Sequence, residues 1–472
     1  MRRVSLRNKG INELPDKLLL TENAERVGEL DLTQNEFNGV LPHSIVAFTN
    51  IMSLKLNLNT FVSFPSVLQS LTTLKILSMG LCDVQSLSGV EKLVQLRELR
   101  LHCNDIKRLP DIQRLSHLTY LDVCTNELLD ADGLPASLKV LRLSSNGIDS
   151  LDGFDRLTRL ERLQLGDNKL THGVQLRPLV NLTVVNMSKN SLTIFPALAG
   201  ALNLKHLDLS QNNLSGVGGC VENLSNLVTL ELGGNCIRRL EHLHTLVNLE
   251  MLNVQTNFLE AIPQSVVQLT EHSLRKINIA ENLLKTYPPV FNKEILDRLH
   301  RFHCSHNFFF ELPESIVNHK HFLSFHSTIP NQVTEKVFIS GFGGAGNRRG
   351  LAHLGITHVL NAAFKTDRIY FENDFTYKIL DIQDTEDQEI LTYFDDSIAF
   401  IEEARKNGKV LVHCQAGVSR SATLVIAWLM KMHKKQLKDA IVFLRERRSI
   451  IEPNIGFMEQ LEKYEKSLVS NY

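Results

Sequence analysis

The residues best suited to chemistry lie together near the end of the chain, in Val412-His413-Cys414-Gln415-Ala416-Gly417-Val418-Ser419-Arg420-Ser421. An apolar run, Val410 to Val412, leads into a short turn, and a helical stretch begins near Arg420. A loop that joins a strand to a helix N-terminus aims successive backbone N–H groups at one point, beside the positive end of the helix dipole. Such a cradle holds a phosphate, and Gln415, Ala416, Gly417, Val418, Ser419 and Arg420 would build it. Cys414, at its mouth, sits in that field; the field favours the thiolate and so makes a nucleophile. Arg420, at the far end, can fork two hydrogen bonds onto equatorial phosphate oxygens. The residues thus suit a favoured thiolate placed beside a bound phosphate.

Such a loop needs a layered support. Short β-like runs at Lys336 to Ser340, Thr357 to Asn361, Tyr377 to Leu380 and Val410 to His413 alternate with helical stretches near 345–354, 390–407, 420–433, 435–447 and 455–469. This alternation predicts an α/β domain of about 145 residues.

The spacing His-Cys-x-x-Gly-x-x-Arg resembles the cysteine-dependent protein tyrosine phosphatase superfamily. The fuller His-Cys-x-Ala-Gly-x-Ser-Arg-Ser-x-Thr, ending at Thr423, is similar to its dual-specificity branch. Leu354-Gly-Ile-Thr-His-Val-Leu-Asn361 upstream and Pro453-Asn454-x-Gly456-Phe457-x-x-Gln460-Leu461 downstream extend the resemblance over about residues 330 to 470. It implies that Cys414 forms a phosphocysteine while Arg420 and the loop N–H groups hold the spreading charge. His413 then orients the loop and aids the thiolate, and the Ser421 hydroxyl supports it on departure. No metal or other cofactor is implied. The leaving group needs an acid. Asp384, in Asp381-Ile-Gln-Asp384-Thr385-Glu-Asp387, matches the family's general-acid loop, with Asp381 and Asp387 as rivals more suited to solvated loop charges.

Two features invite other readings. Gly341-Phe-Gly343-Gly-Ala-Gly346 matches a dinucleotide fingerprint in outline, with Asp367 downstream, but no apolar strand leads to Asp367. The glycines instead match a linker after the first phosphatase strand. Arg445, Arg447 and Arg448 form a basic cluster that reads as a solvated helix end, or else as a dock for an acidic partner.

The first two-thirds of the chain repeats L-x-L-x-x-N-x-L, as in Leu30-Asp-Leu32-Thr-Gln-Asn35-Glu-Phe37. The asparagines fall at 35, 59, 104, 126, 146, 168, 190, 212, 235, 257, 282 and 307, with Cys82 in one slot. With a degenerate copy at Val4 to Ile11, about fourteen units result. Each L-x-L is a short strand with its leucines inward, and the asparagine can satisfy backbone groups where the chain turns. Single units cannot bury their apolar face, so stacking makes one core. This pattern resembles the leucine-rich repeat family over roughly residues 1 to 325. The fold expected is therefore a leucine-rich-repeat solenoid, residues 1–326, followed by an α/β phosphatase domain, residues 327–472. Phe302, Phe308, Phe309, Phe310, Phe322 and Phe325 would cap the last repeat, and Ser327 to Pro330 marks the boundary.

The outward strand positions are Asp31, Lys55, Arg100, Asp122, Arg142, Gln164, Asn186, Asp208, Glu231, Asn253 and Asn278. Their mixed signs suit a protein partner on the concave face better than a polyanion. The whole chain of 472 residues agrees, with 51 basic against 52 acidic side chains and a net charge of -1. That balance argues against a dedicated nucleic-acid or anionic-membrane binder. Residues 329–472 hold 19 basic and 19 acidic side chains, so no basic domain hides within the total. Seven scattered cysteines without a CxxC pair suggest neither a disulfide framework nor a zinc site, and Cys82, Cys103 and Cys124 read as packing residues. No signal-peptide pattern or apolar run of about 20 residues is present, so a soluble cytoplasmic protein is expected.

Domain content resembles leucine-rich-repeat dual-specificity phosphatases, some of which act on MAP kinases. The expected activity is hydrolysis of phosphoserine, phosphothreonine and phosphotyrosine in a phosphoprotein recruited by the repeats. The alternatives are a scaffold that traps phosphorylated partners with little turnover, and a phosphoinositide phosphatase. Uncharged Gln415, Ala416 and Val418 weigh against the latter.

Overall fold

Short strands from β1 (Arg2–Ser5) to β12 (Met251–Asn253) follow one another in a parallel sheet in strict chain order, and β13 (Lys276–Asn278) pairs in parallel with β14 (Arg301–His303). The computed structural model describes residues 2–171, 174–304, 307, 330–363, 371 and 373–469. By contact density the chain forms two compact units, Met1–Val254 with Glu271–Leu274, and Gln255–Thr270 with Arg275–Tyr472. The expected boundary at 327–329, and the cap residues Phe308, Phe309, Phe310, Phe322 and Phe325, lie outside the described residues. Phe302 is buried.

The register repeats the sequence pattern: Leu207 pairs with Val185 on one side and with Leu230 on the other, and Leu230 pairs with Leu252. Those side chains are buried, as the L-x-L reading requires. The asparagines satisfy the turns. Asn104, 7% exposed, donates through Nδ2 to the Met79 and Leu101 carbonyls, both at 2.8 Å, and accepts at Oδ1 from the Cys82 and Val84 N–H groups, both at 3.0 Å. Cys82 takes part of this role, its thiol donating to the Leu56 carbonyl at 3.2 Å. Burial pushes the Cys82 and Cys124 thiols up to about 11. Cys82 is buried and Cys103 and Cys124 are half-buried, and all three are free thiols.

One regular feature carries no composition signal. The residue before each slot, from 35 to 282, has a left-handed backbone, as in Leu58 (φ 56°), Leu81 (φ 58°) and Lys189 (φ 52°). A leucine there costs about 1 kcal/mol. The conformation turns its N–H onto the next repeat: Leu58 donates to Gly80 O at 3.0 Å and Lys189 to Ser210 O at 2.9 Å. The outward positions sit on the strands as expected, with one correction: Asp122 is buried, 3.2 Å from Arg142, rather than part of an open face.

The second unit contains a five-stranded sheet in the order β15 (Asn331–Thr334), β16 (Val337–Ser340), β19 (Lys409–His413), β17 (Ile356–Asn361), β18 (Thr376–Ile379). All pairs are parallel except β15 with β16. Helices α1 (Arg348–Leu354), α2 (Phe394–Asn407), α3 (Arg420–His433), α4 (Leu437–Arg447) and α5 (Ile455–Val469) accompany it. Central β19 is buried from Val410 to His413, and α3 is buried from Arg420 to Met430. The strand that delivers Cys414 and the helix that starts at Arg420 are thus enclosed by the core along most of their length.

Candidate active site

The Cys414–Arg420 loop runs from the end of β19 to the start of α3. Cys414 is 1% exposed. Its sulfur lies 3.2 Å from the Ser421 hydroxyl and accepts from the Gly417 N–H, also at 3.2 Å. Gly417 has φ +69°, and a Cβ there would lie 2.5 Å from the Gly341 nitrogen; a Cβ on Gly341 would lie 2.8 Å from the Ala416 carbonyl. The glycine run after β16 therefore seats the loop, with Phe342 N–H donating to Gln415 O at 3.0 Å. Asp367 lies outside the described residues.

Arg420 is buried, its Nη1 donating to Ile382 O at 3.2 Å. Its Nε approaches Asp384 Oδ2 to 3.3 Å, within ion-pair reach but not aligned as a hydrogen bond. Asp384 is also held on the loop by Ser419, whose hydroxyl donates to Oδ1 at 2.6 Å, and by Asn454 Nδ2 at 3.1 Å. Its side chain remains 36% exposed, open to an incoming group. Of the rivals, Asp387 is exposed, its carboxyl held below the usual range by the Thr385 hydroxyl. Asp381 is half-buried, with its carbonyl accepting from Tyr393 at 3.3 Å.

The downstream motif anchors this acid loop. Gln460 donates to Gln388 O at 2.8 Å and accepts from Leu391 N–H at 2.9 Å, and a Cβ on Gly456 would lie 1.8 Å from Glu386 O. The structure thus brings together Cys414, Gln415, Ala416, Gly417, Val418, Ser419, Arg420, Ser421 and Asp384.

His413 is buried under the loop, its Nδ1 3.4 Å from Cys414 O, which can only accept. Burial, aided by nearby Arg420, pushes it down to about 4 against that hydrogen bond, so the ring is neutral at pH 7. Any help it gives the thiolate comes through hydrogen bonding and packing, not through positive charge. The unfolded chain takes up a proton near pH 6.5 and the folded one only near 4, so stability falls as pH drops through that window. The loss approaches roughly 3 kcal/mol below pH 4. Replacing His413 by Gln should flatten the pH dependence of the urea midpoint between pH 4 and 6.5; an unchanged slope would refute this.

Comparison with known proteins decides the class. Residues 337–467 match the dual specificity phosphatase catalytic domain, and residues 203–225 match a leucine rich repeat. Dual specificity protein phosphatase 1 of Arabidopsis thaliana is 38% identical over 141 residues, 30% of this chain and 71% of that protein. The chain belongs to the dual specificity phosphatase family. MAP kinase phosphatase with leucine-rich repeats protein 3 of Dictyostelium discoideum is 40% identical over 142 residues, which are 30% of this chain and 17% of that relative. For the repeats, a leucine-rich-repeat protein of Leptospira interrogans matches 68% of this chain and 87% of its own with a TM-score of 0.57 at 24% identity, a likeness of fold. Among the described residues no helix is long and apolar enough to cross a membrane.

The phosphatase domain also corrects the reading of the basic cluster at Arg448, whereas Arg445 is exposed, as at a solvated helix end. Arg448 is 1% exposed, donating to Gly417 O at 2.7 Å, Ala416 O at 3.0 Å and Asn331 Oδ1 at 2.6 Å. Arg447 bonds Val333 O at 3.0 Å with its guanidinium 3.5 Å from the Phe443 ring centroid, and Arg445 reaches Ile451 O at 3.5 Å. The partners of Arg448, 31 and 32 residues upstream and in β15, gave the sequence no local cue.

Proposed function

We propose that the protein hydrolyses phosphoserine, phosphothreonine and phosphotyrosine in a phosphoprotein, with residues 1–326 recruiting the partner and residues 327–472 doing the chemistry. The observation that carries this is the Cys414 sulfur held within 3.2 Å of both the Gly417 N–H and the Ser421 hydroxyl, with Asp384 held at the same loop. Cys414 thiolate attacks phosphorus in line, the bond to the leaving oxygen breaks, and Asp384 supplies the proton. Arg420 and the loop N–H groups hold the charge spread over the equatorial oxygens. Asp384, now a carboxylate, takes a proton from water as the water attacks phosphocysteine. The thiolate leaves toward the Ser421 hydroxyl, and inorganic phosphate departs.

A MAP kinase is the proposed class of partner, supported by the printed name of the Dictyostelium relative and by the shared combination of repeats and phosphatase domain. The test is turnover by the full chain on phosphotyrosyl, phosphoseryl and doubly phosphorylated peptides, on a doubly phosphorylated MAP kinase and on phosphoinositides. Release of phosphate from the peptides and faster release from the kinase are expected. Preference for an inositol phosphate, or binding without release, would replace this reading with one of its alternatives.

A further inference from the structure

The least expected residue of the domain is Arg448. It follows α4, far along the chain from the loop, yet it is buried and spends its guanidinium fork on loop carbonyls. A trans peptide points its C=O and N–H in opposite directions. Fixing the Ala416 carbonyl therefore fixes the Gly417 N–H, and fixing the Gly417 carbonyl fixes the Val418 N–H. The first consequence is visible: the Gly417 N–H meets the Cys414 sulfur at 3.2 Å.

The other loop carbonyls are tied in the same sense. Gln415 O accepts from Phe342 N–H at 3.0 Å, Val418 O from Glu452 N–H at 2.9 Å, and Ser419 O from Thr423 N–H at 2.9 Å. Those partners are backbone groups fixed by the fold, so a side-chain change does not remove them. Arg448 is a side chain that serves two consecutive carbonyls, and its third bond, to Asn331 in β15, fixes the plane of the fork.

We propose that Arg448 is a positioning residue of the phosphoryl-transfer reaction, holding the Ala416 and Gly417 peptides so that the Gly417 N–H faces the Cys414 sulfur and the Val418 N–H faces the phosphoryl oxygens. The proposal rests on the phosphatase reading of the loop. It assigns Arg448 to orientation rather than to docking a partner, and burial leaves it unable to reach one. Burial lowers its pKa to about 10, so it is still charged at neutral pH. Lysine keeps the charge but not the planar fork, and cannot span both carbonyls and the Asn331 amide together.

The test uses the full chain as wild type, Arg448→Lys and Arg448→Met. Three quantities are read: tungstate affinity by calorimetry, kcat and KM on an aryl phosphate, and the ratio of Cys414 alkylation rates by iodoacetate and iodoacetamide. An intact cradle draws the anionic reagent, so the wild type prefers iodoacetate. In Arg448→Lys, tungstate affinity and kcat/KM should fall roughly 10- to 100-fold, as a displaced positioning group does, and the preference should fall toward one. A loss of thermal stability alone does not move that ratio. Wild-type tungstate affinity and an unchanged ratio in the lysine variant would overturn the proposal, as would a variant that melts earlier but keeps both. If the methionine variant does not fold, the lysine variant decides. Wild type that binds no tungstate and turns over no substrate removes the phosphatase reading as well, which separates the two failures.

Discussion

Turnover by the full chain should drop at least about 10⁴-fold when Cys414 becomes serine, with binding of a phosphopeptide kept within a few-fold of wild type. The loss follows because a serine hydroxyl is not ionised at neutral pH and no adjacent base is placed to activate it. Neutral His413 lies beneath the loop with its Nδ1 turned to the Cys414 carbonyl, and Ser421 offers only another hydroxyl. Removal of a nucleophile from a preorganised site typically costs a factor of this order or more. Binding is expected to survive because Arg420 and the loop N–H groups, the proposed phosphate ligands, are untouched. Single-turnover kinetics and calorimetry with one doubly phosphorylated peptide measure both quantities. Residual turnover equal to wild type would place the nucleophile elsewhere. Wild type as slow as the variant, with equal binding, would make the domain a phosphopeptide trap.

A second large effect is expected far from the chemistry, at Asn104. Replacing it by alanine strips the Met79 and Leu101 carbonyls of a donor and the Cys82 and Val84 N–H groups of an acceptor, all at 2.8–3.0 Å in a buried turn. Each unsatisfied buried group costs about 1–3 kcal/mol, reduced where water enters, so a loss of about 3–5 kcal/mol is expected. Exposed Asp105 next door is the control: its alanine variant should stay within about 0.5 kcal/mol of wild type. Urea unfolding followed by circular dichroism reads both. Equal midpoints for the two variants would show that the asparagine slot contributes no more than a surface position.

The strands and the loop were legible for different reasons. Each repeat strand follows from a local pattern repeated in phase, and helices expected near 420–433 and 455–469 occur as Arg420–His433 and Ile455–Val469. The reactive loop was legible because Cys414 to Arg420 are contiguous, so that spacing alone fixes their geometry. Asp384 needed the resemblance, since nothing local separates it from Asp381 or Asp387; what distinguishes it is contact with Ser419 and Asn454 across 35 and 70 residues. Arg448 was misread because an arginine in a basic helix end looks solvated until its distant carbonyl partners are known. The antiparallel edge strand Asn331–Thr334 was missed because Asn-Gln-Val-Thr has no apolar alternation to declare it. The left-handed positions were hidden for the opposite reason. Leu58, Leu81 and Lys189 are not residues that favour such a backbone, and neighbouring repeats impose it on them.

The asparagine ladder also sets how such a chain can change over generations. Asn212 needs from the preceding turn only a carbonyl, Met187 O at 2.9 Å, and one N–H, Leu192 at 2.9 Å, besides its own Leu209 O at 3.1 Å. Any turn of the same pattern supplies those groups. A duplication or deletion of one whole unit within Arg2–Asn253 therefore leaves every remaining ladder bond replaceable, and alters the sheet by one strand, about 4.8 Å. A deletion that cuts into the L-x-L-x-x-N run itself puts an unlike residue in the slot and meets the cost expected for Asn104. Such an array is expected to change in whole turns, each adding or removing one strand of the parallel sheet.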